Sequence, residues 1–141
     1  QKLESTTIPA ELPVINFRGK LTETCQPALQ QVEQLGLRHH HFRLEFAAIT
    51  DVDIPGCSIF LNVLNHWHTA GCVISIRNGE VVTSRIRQCI QIGRQDSDDS
   101  AWRLMIELLR LMNADQAYEA ACVDYCLTYE VSPPRFASST H

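Results

Sequence analysis

Apolar and polar positions change their spacing several times along the chain, and each change predicts an element. Val14 to Leu21 alternates in part and predicts a strand. Ala28, Leu29, Val32 and Leu35 then recur at helical spacing. Thr22 or Thr24 can cap that helix, Pro27 falls in its first turn, and Gly36 is the expected terminator. His41-Phe42-Arg43-Leu44-Glu45-Phe46 alternates strictly and predicts a second strand ending near Ala47. A loop over Ile49 to Asp53 leads to Ile54-Pro55-Gly56, where Pro55 suits the start of a helix. Ile59, Phe60, Val63, Leu64 and Trp67 form the apolar face of that helix, and Gly71 ends the connection. Cys72 to Ile76 is a short apolar run and predicts a buried strand. Asn78-Gly79 makes a turn, and Val82, Ile86, Cys89 and Ile90 follow at helical spacing.

The order to this point is β-α-β-α-β-α with short connections, which predicts an α/β fold whose sheet is mainly parallel. Gln95 to Ser100 is an acidic, polar break. Beyond it Ala101 to Met112 is apolar almost all round, apart from Arg103, Glu107 and Arg110, and such a helix must be covered on most sides. Left half exposed, it would demand a protein partner or a second copy of the chain. Ala117 to Tyr129 reads in two ways. Tyr118, Ala121, Cys122, Tyr125 and Tyr129 share one helical face, whereas Val123, Tyr125, Leu127, Tyr129 and Val131 alternate as a strand does; the alanine-rich start favours the helix. The expected organisation is a flexible leader over residues 1–12, an α/β domain over 13–94, a helical hairpin over 95–136 and a disordered tail over 137–141.

Net charge is −4 and the basic residues are scattered, which argues against a nucleic-acid partner. No apolar stretch approaches the about 20 residues needed to span a bilayer, so no direct membrane insertion is expected. Six cysteines lie mostly inside apolar runs, with no CxxC pair and no regular spacing. That usage points to buried free thiols in a reducing, cytoplasmic compartment. His39-His40-His41 and the pair His66 and His68 are metal-ligand types, but neighbours on a strand point oppositely and positions two apart on a helix diverge. No metal and no cofactor is expected from them. Cys57 lies near a helix start, where a thiolate is stabilised, yet no base accompanies it, and no catalytic residue is assigned.

Several local sequences resemble the STAS domain, the fold of anti-sigma-factor antagonists. They are Phe17-Arg18-Gly19-Lys20-Leu21, the strand Phe42 to Phe46, the loop Ile49 to Gly56 and the lead His68-Thr69-Ala70-Gly71-Cys72-Val73. The resemblance covers roughly residues 13 to 92. It implies a single mixed, mainly parallel sheet of four to five strands, here extended by the C-terminal hairpin. It also implies a non-catalytic module that docks a protein partner (a kinase-like protein, a transporter or a secretion-system component) through Asp51, Asp53, Ile54, Pro55, Gly56, Cys57 and Ser58. In regulatory STAS proteins the residue after the loop aspartate is a phosphorylated Ser or Thr. Here Asp53 is followed by Ile54, which has no hydroxyl, so a phosphate switch has no acceptor at that position. The alternative is a regulatory domain for a small lipid or nucleotide, held in a cavity between the sheet and the helix at Trp67.

Overall fold

The computed structural model describes residues 12–131. Strand β1 spans Val14–Leu21, and a single 3-10 turn, Glu23–Cys25, leads into helix α1, Gln26–His39. Strand β2 follows at His41–Val52, helix α2 at Ile54–Thr69 and strand β3 at Val73–Arg77. The remaining described elements are α3 (Gly79–Arg87), α4 (Ser100–Leu111) and α5 (Asp115–Tyr129). The three strands form one sheet in the order β1-β2-β3, parallel throughout. The fold is therefore α/β, but the expected fourth and fifth strands and the mixed pairing are absent among the described residues.

β3 covers only the first part of β2, and α3 packs on β2 as well. β3 pairs only with His41 to Glu45 of β2. At Asn78 the chain turns through a left-handed residue, φ 57°, and the Asn78 side chain donates to Glu45 Oε2 at 2.6 Å. From there α3 packs along β2, and Cys89 just beyond it reaches the Val52 carbonyl, 3.2 Å from its Sγ. A helix thus flanks the second half of β2 where a strand flanks the first.

β2 runs further than its alternation predicted. Ile49 to Val52, expected as loop, pairs with β1 through Gly19↔Ile49, Lys20↔Asp51 and Leu21↔Val52. Two register shifts accommodate this, and at Ala47 and Ala48 two successive residues are exposed. A bulge of this kind breaks the alternation that marks a strand in sequence.

Ile15, Phe17, Leu21, Phe42, Leu44, Phe46 and Ile49 are buried on one face of the sheet. The facing positions Asn16, Arg18, Lys20, His41 and Thr50 are exposed. α1 and α2 cover the apolar face, where Phe17, Phe46, Phe60, Trp67 and Phe42 form a continuous aromatic chain with successive centroids 4.7 to 6.5 Å apart. Gly36 does not end α1. The helix continues to His39, and Gly36 is the point where Trp67 meets it: an added Cβ would lie 2.4 Å from Trp67 Nε1. That indole donates to the Glu33 carbonyl at 3.0 Å. His40, left-handed at φ 63°, ends the helix and returns its N–H to Gly36 O.

α4 packs against α2 and α3, and α5 packs against α4. Trp102, Leu104, Met105, Leu108, Ala121 and Tyr125 belong to the same buried cluster as the sheet, so the helical hairpin shares one core with the α/β part. The acidic stretch before α4 is anchored on α5. Thr128 Oγ1 accepts from Gly93 N–H at 2.9 Å, Tyr129 Oη donates to Asp96 O at 3.0 Å and Tyr125 Oη donates to Asp99 Oδ2 at 2.6 Å. Tyr125 also packs against Trp102 and Tyr129, so these rings pack on one another rather than on the sheet. The expected leader, apart from Leu12, and the expected tail lie outside the described residues, as do residues 132–136 of the hairpin unit.

Candidate functional site

The segment Asp51 to Ser58 joins the end of β2 to the first turn of α2. Asp53 is the N-cap: its backbone is extended, and its Oδ1 accepts from Gly56 N–H at 2.7 Å. Its own N–H donates to the Leu21 carbonyl at 3.1 Å, and its carbonyl accepts from Cys57 N–H at 3.0 Å. One aspartate therefore ties the tip of the helix to the end of β1 and satisfies a helix-start donor that would otherwise lack a partner.

Gly56 is buried against the same strand end. A Cβ there would lie 2.1 Å from Leu21 O and 2.4 Å from Leu21 C, so only glycine lets the helix approach this closely. Cys57 is fully buried. Burial pushes its thiol far above the ordinary range, with further contributions from Cys89 and Asp53. The Cys57 side chain belongs to the buried hydrophobic cluster.

The seven residues expected to meet a partner thus divide into two sets. Asp51 and Pro55 are exposed, while Asp53, Ile54 and Ser58 are half-buried. Gly56 and Cys57 lie beneath them and shape the tip without reaching its surface. Ile54 packs in part against the core, and Pro55 is the most exposed residue of the first turn. Asp51 belongs to β2 rather than to a loop, and Thr50 Oγ1 donates to its Oδ2 at 3.2 Å.

The alternative reading placed a lipid or nucleotide cavity between the sheet and the helix at Trp67. Trp67 is fully buried, with the Phe42 ring at 4.7 Å and Phe60 at 6.5 Å. His66 Nδ1 lies 2.7 Å from Glu33 Oε2 on α1 and, like His68, is exposed. Among the described residues no group of three or more His, Cys, Asp or Glu side chains could hold a metal ion. No helix among them is long and apolar enough to cross a membrane. All six cysteines are free.

One surface lay outside the residues singled out in the sequence. α5 buries Ala121, Tyr125 and Thr128 against α4, yet it also carries apolar residues on its outer side. Val123, Leu127 and Val131 are 57%, 66% and 47% exposed, and with the half-buried Cys122 and Cys126 they line a shallow groove of about 260 Å³. Cys122 and Cys126 also pack in part against the core. The signal was present as Val123, Leu127 and Val131 at i, i+4 and i+8, but it coincided with the strand-like alternation over the same residues. Comparison with family models, curated proteins and solved structures returns no match to this chain.

Proposed function

We propose that the chain is a non-catalytic protein-binding module of the STAS type, which docks its partner on the tip of α2. The observation that carries this reading is the way the tip is held. Asp53 fixes it by three hydrogen bonds and Gly56 seats it on the Leu21 carbonyl, while Pro55 projects outward with Ile54 and Ser58 beside it. A rigid, mostly apolar projection loses little conformational freedom when it is covered, which favours docking. With isoleucine at position 54, binding is constitutive or governed through the partner, because a phosphate has no acceptor there. The STAS resemblance favours a kinase-like protein, a transporter or a secretion-system component as the partner, and six free thiols suit the reducing cytoplasm.

Pro55→Glu tests the reading with little risk to the fold. The side chain is exposed, and a glutamate in the first turn suits the helix dipole. Proteins captured by the wild type and by Pro55→Glu are compared by quantitative mass spectrometry, after circular dichroism confirms equal folding. At least one abundant partner is expected to disappear from the variant. Identical sets in identical amounts would remove the tip as the docking surface.

A further inference from the structure

The outer face of α5 combines two features, an apolar stripe and an acidic frame. The stripe is Cys122, Val123, Cys126, Leu127 and Val131, and its three aliphatic members are among the most exposed large hydrophobic residues of the described chain. Helical geometry places Glu119 on the same outward face one turn before the stripe. Glu130 closes the other end, roughly 16 Å away at 1.5 Å per residue. Asp115 and Asp124 add two more carboxylates on the helix, and between Arg110 and Arg135 the chain has no basic residue.

This charge pattern selects the occupant. A second copy packing by two-fold symmetry would lay α5 on itself antiparallel or parallel; in the parallel case each glutamate would meet its own equivalent. In the antiparallel case Glu119 of one copy would approach Glu130 of the other, and in neither case does the helix carry a cation to separate them. The stripe offers two adjacent rows of apolar side chains at i, i+4 spacing, the complement of another helix's apolar face. We infer that α5 docks an amphipathic helix of basic character. Such a helix would place apolar anchors at i, i+3 or i+4 and i+7 over Val123 and Leu127, with Lys or Arg residues meeting Glu119 and Glu130. This surface is independent of the α2 tip, and either can fail without the other.

The probe is a fluorescein-labelled, 14-residue leucine–lysine amphipathic helix, titrated with the full chain and followed by fluorescence anisotropy. Its control is the same peptide with every lysine replaced by glutamate. The lysine peptide is expected to bind, more weakly as salt rises from 50 to 500 mM, and the glutamate peptide is expected not to bind. Leu127→Glu is expected to weaken binding by about tenfold or more. This variant is also diagnostic: it adds negative charge, so a purely electrostatic attraction would hold the lysine peptide as tightly as before or tighter. Glu119→Lys with Glu130→Lys is expected to shift preference to the glutamate peptide, and Pro55→Glu to leave both titrations unchanged.

Equal binding of the two peptides, or unchanged binding by Leu127→Glu, would overturn the assignment. So would a wild-type dimer in sedimentation that Leu127→Glu dissociates, which would make a second copy the occupant. Binding seen only in Phe136→Ser would do so too, by identifying the chain's own C-terminal residues as the cover.

Discussion

Gly56→Ala is the sharpest test of how the tip is built, because two opposing effects can be weighed from the structure. Gly56 lies inside α2, where replacing glycine by alanine ordinarily favours the helix by about 1 kcal/mol. Against this, the new Cβ would sit 2.1 Å from Leu21 O, 2.4 Å from Leu21 C and 2.7 Å from Thr22 N, all of them backbone atoms. No side chain can swing aside, so the first turn of α2 must retreat from β1 by roughly 1 Å. Overpacking of this kind costs about 1–3 kcal/mol. The retreat also stretches the hydrogen bond from Asp53 N–H to Leu21 O, now 3.1 Å, a loss of about 1 kcal/mol. The net expectation is a destabilisation of about 2 kcal/mol, which lowers the urea midpoint by about 1 M at an ordinary slope. Gly79→Ala is the matched control. Its Cβ would meet mainly the thioether end of Met112, at 2.5 Å from Sδ, together with Ile76 Cγ2 at 2.8 Å. The flexible methionine can move, so a loss of under about 1 kcal/mol is expected. A Gly56→Ala protein as stable as the wild type, or less affected than Gly79→Ala, would refute the close seating of α2 on β1.

Asp53→Ala removes the N-cap and should cost about 1 kcal/mol in urea unfolding, whereas Asp53→Asn keeps an acceptor and should be nearly neutral. Cys57 should resist a thiol reagent at neutral pH under native conditions. The five half-buried cysteines should label first and all six should label in urea, as peptide mass spectrometry of timed samples would show. Asp99 gives a pH dependence whose sign follows from its partners. Burial alone would raise its carboxyl, but the hydrogen bonds from Tyr125 and Arg103 outweigh that and hold it below the ordinary value. A carboxylate lowered in the folded state stabilises it above the ordinary aspartate pKa and loses that contribution as pH falls below about 4. The difference in urea midpoint between wild type and Asp99→Asn should therefore shrink from pH 6 to pH 3.

Periodicity located most of the elements because apolar spacing and burial coincide in them. Phe42, Leu44 and Phe46 alternate inward, and Phe60, Val63, Leu64 and Trp67 follow one helical face. It failed where tertiary contacts override local signals. Gly36 was expected to stop a helix, yet it lies inside one because the Trp67 ring needs its missing side chain. Ile49 to Val52 lost its strand signature to the bulge at Ala47 and Ala48. The strand count was overestimated because it was taken from the STAS resemblance; local spacing alone read three strands and a turn at Asn78-Gly79 into a helix, as observed. In the tip, Pro55 in the first turn was legible from residue type alone. The burial of Gly56 and Cys57 was not, since it depends on how closely Leu21 passes beneath them.

The two surfaces are coupled to the fold in different ways. The α2 tip rests on backbone: Leu21 O accepts from Asp53 N–H and lies under Gly56, so a displacement at Pro55 is opposed by the end of β1 and by the sheet behind it. α5 rests on side chains. It reaches the core through its contact with α4 and is anchored to the preceding segment by Thr128, Tyr125 and Tyr129. Side-chain contacts can rearrange without breaking a strand ladder, so under the two proposals above α5 would adjust to an incoming helix while the α2 tip would present one fixed shape. A rigid projection suits a partner that supplies its own pocket, and an adjustable helix face suits a partner that is itself a helix. Under these proposals the two modes would interfere little with each other mechanically.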